Sequence, residues 1–312
     1  MNLFDLHCDT ALYLYKKNLS LTDNNLHISL DRAAKYPHYA QVMAIWSDKR
    51  LDDRAAYRQY HHSADYFLRQ VDTYRDRAMI CRTAGDLHTA WDTGRSALFL
   101  AVEDARILEG EIDRLPVLFA RGVRFLTLAW GSSSCICGAH NTGDGLTDFG
   151  REVIRRCFEL GIVPDISHGS DATMEEILTM GEAAGKPVIA THSNARGVCP
   201  HNRNLTDAQF CRVRDMGGLV GISLCPEHLR ADGPASVEDV IRHIEHYLSL
   251  GGEGTVALGA DLDGTSLPKD FSDIEDIASI ADAMAARGHS RDVIDAICWG
   301  NALRFVEENL TK

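Results

Sequence analysis

No apolar run in this sequence approaches the ~18 residues a membrane-spanning helix needs, which speaks against a transmembrane segment. The start, Met1-Asn2-Leu3-Phe4-Asp5-Leu6-His7, has no basic stretch followed by a long apolar one, so no signal peptide is expected. Positive charge is in short supply. Lys+Arg number 32 against Asp+Glu 45, a formal net charge of -13. Nucleic acid and anionic membrane both demand a basic surface, so neither is expected as a partner. The phosphate-cradling patterns G-x-G-x-x-G and G-x-x-x-x-G-K are absent, as are the G-x-S-x-G elbow and H-E-x-x-H. Cysteine is present but unorganised. The nine are an odd count, several inside apolar segments (Cys81, Cys157, Cys211, Cys298), which suggests no disulfide framework and fits a reducing cytoplasm. Cys135-Ile136-Cys137 with His140 is a single C-x-C pair, and loop thiols are the simpler reading than a structural zinc. No internal repeat and no Pro/Ser-rich linker divides the chain, so residues 1–312 are read as one domain.

What is there is the composition of an ordinary globular protein, 45% hydrophobic and 25% charged. Short apolar runs recur at Leu3–His7, Val42–Trp46, Ala97–Val102, Val123–Leu128, Ile162–Ile166, Val188–Thr191, Leu219–Leu224 and Val256–Ala260. Each is bounded by Gly, Pro, Asp or Ser, as buried strands are. Helical periodicity separates most of them. Phe149, Val153, Ile154, Cys157 and Phe158 form one apolar stripe, and a polar stretch from Asp53 to Arg77 predicts a long surface helix. Thr206-x-x-Gln209 and Ser272-x-x-Glu275 read as capping boxes. The end, Ser290 to Leu310, predicts two short closing helices. Strands alternating with helices, each strand apolar along its length, predict parallel βαβ units covered on both faces. The expected fold is an α/β, (β/α)8 TIM-like barrel, with an open doubly wound sheet as the alternative.

The residues that follow the runs carry the chemistry. In an extended strand residues i and i+2 share a face, so His7 and Asp9 point one way and Cys8 the other. Glu103 follows the third run, His168 the fifth, His192 the sixth, and Asp261 with Asp263 the eighth. In a barrel these ends meet at the C-terminal face, where active sites of that fold lie. His, Asp and Glu form a nitrogen and oxygen donor set suited to zinc or a similar divalent ion. Five donors including a carboxylate able to bridge suggest two ions ~3.5–4 Å apart. A single such His is more often a surface or hydrogen-bonded side chain. Several strand ends carrying donors together are harder to obtain by accident. Of the remaining histidines, His27, His38, His61, His62 and His88 lie in polar segments and read as solvated, with His243 and His246 assigned to a helix surface.

With these residues in view the chain resembles the membrane dipeptidase (renal dipeptidase) family of zinc peptidases, in its bacterial cytosolic branch. The likeness spans nearly the whole chain. It rests on Asp5-Leu6-His7-Cys8-Asp9, Gly145-Leu146-Thr147-Asp148-Phe149-Gly150, Asp165–Thr173, Pro187–Arg196, Arg203-Asn204-Leu205-Thr206, Gly259–Gly264 and Gly300-Asn301. The resemblance implies a barrel of the metal-dependent hydrolase type, two divalent ions with Zn2+ the first candidate, a dipeptide substrate and a homodimer. His7, Asp9 and Glu103 resemble the ligands of one ion, and Glu103, His168 and His192 those of the second, Glu103 bridging. Arg203 matches the arginine that holds the substrate carboxylate. Asp261 matches the aspartate that handles protons.

One departure stands out. The family's Leu-Thr-Leu-Thr-His segment, whose His contacts the substrate carbonyl, is here Leu126-Thr127-Leu128-Ala129-Trp130. Trp130 offers an indole N–H and no imidazole. His140 in the following loop is a candidate replacement. Asp104 stands where the family has a small residue, and reads as a neighbour of the site or a helix N-terminal acid. Two further readings stay open: a binuclear metallohydrolase of a lactone, cyclic amide or other non-peptide bond, and a catalytically silent binding protein. The donor set does not choose among zinc, iron, manganese and cobalt.

Overall fold

A computed structural model describes residues 1–311, so the last residue of the expected domain, Lys312, lies outside them. Its strands are β1 (Leu3–Cys8), β2 (Tyr39–Trp46), β3 (Ala78–Ile80), β4 (Ser96–Glu103), β5 (Val123–Thr127), β6 (Val163–Asp165), β7 (Val220–Ile222) and β8 (Val256–Leu258). They form one parallel, curled sheet in the order β6-β5-β4-β2-β1-β8-β7. β4 is long enough to share one edge: its start pairs with β3, Ala78 opposite Ser96, and its end with β5, Glu103 opposite Thr127.

Alternate residues of the strands separate two apolar layers, as the period of two requires. Phe4, Leu6, Ala40, Val42, Ala44, Ala97, Phe99, Ala101, Phe125 and Ala257 fill the inner face. Leu3, Met43, Ile45, Leu98, Leu100 and Val102 face the surrounding helices. Covering both faces is why the runs read as continuously apolar. Phe305, Val306 and Leu310, from the end of the chain, join the inner layer.

The structure departs from the sequence reading in places. The run Val188–Thr191 forms isolated bridges, Ile189 with Asp165 and Ala190 with Val220, although Ala190 N–H donates to the Leu219 carbonyl and Gly221 N–H to that of Ala190. Its ladder is cut short because Thr191 N–H donates to the Asp165 carboxylate. β3 was not expected; three residues are too few for a periodic signal. No capping box forms at Ser272. Asp273 caps a short 3-10 turn there, Ile274–Ile277, accepting from Glu275 N–H at 2.8 Å. The long surface helix forms as Asp53–Thr73, four residues short of Arg77, with Ala56, Tyr60, Ala64, Phe67 and Val71 burying one stripe. The box at Thr206 forms as read. Thr83 and Ser236 make two more, with Asp in place of Glu or Gln as the reciprocal acceptor. Among the described residues no helix is long and apolar enough to cross a membrane.

Candidate active site

β1 and β4 run parallel with β2 between them, so Asp9, just past β1, and Glu103, at the end of β4, come to the same rim. The turns after β6, after the 188–191 segment and after β8 add His168, His192 and Asp261. The backbone bends sharply here. His168 (φ 68°) and Asp261 (φ 59°) hold left-handed conformations that non-glycine residues rarely adopt, a strain that concentrates at functional sites. The β8 end is stitched to β1: Asp261 N–H donates to the His7 carbonyl at 3.1 Å and Asp9 N–H to that of Leu262 at 2.9 Å.

The predicted donors converge. His7 Nε2 is 3.6 Å from Glu103 Oε2 and 4.0 Å from Asp261 Oδ1. His168 Nε2 is 2.9 Å and His192 Nε2 3.5 Å from Glu103 Oε1, and the two imidazole nitrogens are 3.0 Å apart. Glu103 thus faces His7 with one oxygen and the His168–His192 pair with the other. His7, Asp9, Glu103 and His192 are buried. His7 Nε2 and Asp9 Oδ1 have no hydrogen-bond partner. Unpartnered buried donor atoms are costly. Unpartnered lone pairs beside the Glu103 and Asp261 carboxylates fit divalent cations. His7, Glu103 and His192 alone offer three atoms within 4.8 Å of one another.

A glycine keeps two carboxylates in place. A Cβ on Gly264 would lie 2.2 Å from Asp261 Oδ1 and 2.7 Å from Asp9 Oδ2. Around Asp261 burial dominates, and with the charge of Glu103 it pushes the carboxyl up to about 7 against the pull of His7 and Arg203. Burial raises Glu103 to about 8, with Arg203 opposing. Asp9 is raised by burial and by Glu103. His168 and His192 are pushed down by burial.

Above the donors opens a cavity of about 330 Å³, lined by Asp9, Glu103, Trp130, His140, His168, Arg203 and Asp261, with Lys49, Cys225 and His228. Arg203 is fully buried. Its Nη1 donates to Ser193 Oγ at 2.7 Å, while Nε and Nη2 have no partner. Those two free nitrogens leave the guanidinium able to take a carboxylate. Trp130 lies 6.1 Å, centroid to centroid, from the His168 ring and His140 5.7 Å. Burial and the nearby Arg203 push His140 down to about 4, so it is neutral at pH 7.

Some sequence readings place elsewhere. Asp263 is no part of the donor set, since its carboxylate accepts from Thr10 Oγ1 and His27 N–H. Asp104 is the helix N-terminal acid of the second reading: it caps the 3-10 turn Ala105–Leu108, its carboxylate accepting from Arg106 N–H and pairing with Arg106 Nε at 2.8 Å. His243 is fully buried, not on a surface: it accepts from Ala195 N–H and bonds the Leu229 carbonyl. Cys135 and Cys137 are free thiols. The sequence reading did not single out the buried polar layer beneath the donors. Asp5 accepts from Gln41 Nε2, His7 N–H and Ala260 N–H. Asp165 and Thr191 join β6, the 188–191 segment and two imidazoles. The available signal was an acid inside an otherwise apolar run, at Asp5 and Asp165 alike.

A rim of buried His and carboxylate donors beside a half-unpaired arginine, at one end of a curled parallel sheet, fits one class: a metal-dependent hydrolase. The family model described as membrane dipeptidase (peptidase family M19) matches residues 1–312, and the chain belongs to that family. It is accordingly a hydrolase of the dipeptidase type, and the family implies divalent metal ions. Among curated proteins it is 32% identical over 243 residues to an uncharacterized protein in the pqqA 5' region of Klebsiella pneumoniae, covering 74% of this chain and 89% of that one. Among solved structures, dipeptidase AC, a metallopeptidase, superposes with a TM-score of 0.91 at 26% identity, covering 100% of this chain and 99% of that one. A metallopeptidase from Rhodobacter sphaeroides, liganded with a phosphinate mimic of the dipeptide L-Ala-D-Ala, gives 0.90 at 25% identity and 99% of both chains.

Proposed function

We propose that this protein is a binuclear metallo-dipeptidase, cleaving the peptide bond of dipeptides that end in a free carboxylate, with a D residue accepted at the second position. The observation that carries the reading is Arg203, buried, half unpaired and in the wall of the donor-lined cavity. The D residue is supported by the L-Ala-D-Ala mimic held by the Rhodobacter sphaeroides relative. We also read the sheet as a closed (β/α)8-type barrel and a single domain, because the bridges of Ile189 and Ala190 span the gap between β6 and β7.

His7, Asp9 and Glu103 would hold one ion and Glu103, His168 and His192 the other. When bound, such ions supply a polarised carbonyl and an activated water. The chain's own residues do the rest. Arg203 binds the terminal carboxylate and fixes the distance to the scissile bond. Asp261, with Oδ1 4.0 Å from His7 Nε2 and its carboxylate in the cavity wall, is placed to take a proton from the attacking water and return it to the leaving amine. Trp130 and His140 wall the carbonyl side, and neutral His140 supplies a donor or acceptor there.

Trp130 in place of an imidazole favours a second reading, hydrolysis of a lactone or cyclic amide by the same centre. The test is purified protein with its metal content measured, offered L,L- and L,D-dipeptides, C-terminally amidated dipeptides, lactones and hydantoins. Two ions per chain with free dipeptides preferred over their amides is the expected result. Preference for a lactone or hydantoin would establish the second reading instead.

A further inference from the structure

We propose that Thr191 is a positioning residue whose single hydroxyl fixes the tautomers of His7 and His192 together, one imidazole from each proposed metal site. The inference rests on the metal-centre reading above. Thr191 Oγ1 lies 2.6 Å from Asp165 Oδ2, 3.2 Å from His7 Nδ1 and 2.8 Å from His192 Nδ1. A hydroxyl has one proton and two lone pairs. Where the proton goes decides the rest.

Asp165 decides it. The Asp165 carboxylate is fully buried and ringed by donors. Ser167 N–H and Thr191 N–H reach Oδ1 at 2.9 Å each, and Thr127 Oγ1 reaches Oδ2 at 2.5 Å. It is an acceptor from every side, so the Thr191 proton points at it. Both lone pairs of Oγ1 then face the two imidazoles. A lone pair cannot face another lone pair at hydrogen-bond distance, so both Nδ1 atoms carry hydrogen. An imidazole that ligates a metal is neutral and has one N–H, so with Nδ1 protonated the atom left to ligate is Nε2 on both rings. Those are the atoms that face Glu103 at 3.6 and 3.5 Å.

The hydroxyl is held firmly enough to do this. Thr191 carbonyl oxygen is wedged between two strands, where a Cβ on Gly221 or Gly259 would come within 2.0 or 1.8 Å of it. The two imidazoles lie ring to ring, 3.7 Å between centroids, so one oxygen reaches both. A group that orients a ligand through its far nitrogen typically sets metal affinity by 10–100-fold. Here one residue acts on both sites at once, which no single imidazole ligand does.

The experiment compares wild type, Thr191→Val and Thr191→Ser. Zn2+ affinity at each site is read by chelator competition, and the imidazole tautomers of the metal-stripped wild type by 15N NMR. We expect His7 and His192 as Nδ1–H tautomers, roughly 10–100-fold weaker Zn2+ at both sites in Thr191→Val, and near-wild-type affinity in Thr191→Ser. Unchanged affinity in Thr191→Val, weakening at one site only, failure of Thr191→Ser to restore it, or an Nε2–H tautomer at either ring would overturn the proposal. A wild type that takes up no Zn2+ would instead sink the metal-centre reading, while the NMR result would still report on the Thr191 geometry.

Discussion

Asp261 and Arg203 divide the work expected of single residues. Asp261 sits within reach of His7 and Glu103 with its carboxyl raised by burial, where a proton carrier belongs. Asp261→Asn keeps the shape and removes the basicity. It is expected to retain two ions per chain and lose ~10²–10⁴ of kcat; full activity with full metal would remove the proton role. Arg203→Ala should raise KM for dipeptides far more than for their C-terminal amides. Equal effects on both would mean that the guanidinium does not read a carboxylate. At this scale the ligand types were legible, because chemistry is written in side chains. Thr191 was passed over because a threonine before a histidine has no signature of its own; only its distances to Asp165 and both rings give it meaning.

Elements hold the site by a few buried polar ties. The helix Val237–Ser249 is anchored through His243, which joins the backbone at Ala195 and Leu229. Burial pushes this imidazole down to about 4 from its ordinary 6.5. In the unfolded chain it protonates first as the pH falls. Its contribution to stability is therefore complete above pH 6.5, lost progressively down to pH 4, and constant below. At ~1.4 kcal/mol per unit this is about 3 kcal/mol at most. Urea unfolding of the metal-stripped protein at pH 7.5 and 5 should show His243→Gln to be less stable at pH 7.5 and less sensitive to the change. A variant with the wild-type difference between the two pH values would assign the acid sensitivity to other groups. The strands were legible as apolar runs, save β3 and the truncated pairing at 188–191, where a side chain took the place of a ladder partner.

For the whole molecule, the ions and the fold should depend on each other. The proposed ligands come from four separate places along the chain, so a bound ion ties distant segments together and binds the folded state alone. Stabilisation grows with ligand excess, by about 4 kcal/mol at a thousandfold excess over Kd. Stripping with a chelator is expected to lower Tm by several degrees and re-addition of Zn2+ to restore it. An unchanged Tm would mean that the rim is held without ions. Against a net charge of -13, the buried guanidinium is a fixed cation in the wall of the cavity, where the proposed function puts the substrate carboxylate.

The sequence by itself determined the alternation of elements, the donor residues at the ends of apolar runs and the family motifs. Those depend on residue type and short-range order, and a single chain displays both. The tertiary structure decided which donors meet. It drew His7, Glu103, His168 and His192 together, turned Asp263 and Asp104 away, buried His243, and set one hydroxyl between a carboxylate and two imidazoles. Direction and distance between segments tens to hundreds of residues apart come from how strands curl and turns bend. No local pattern in the chain encodes them.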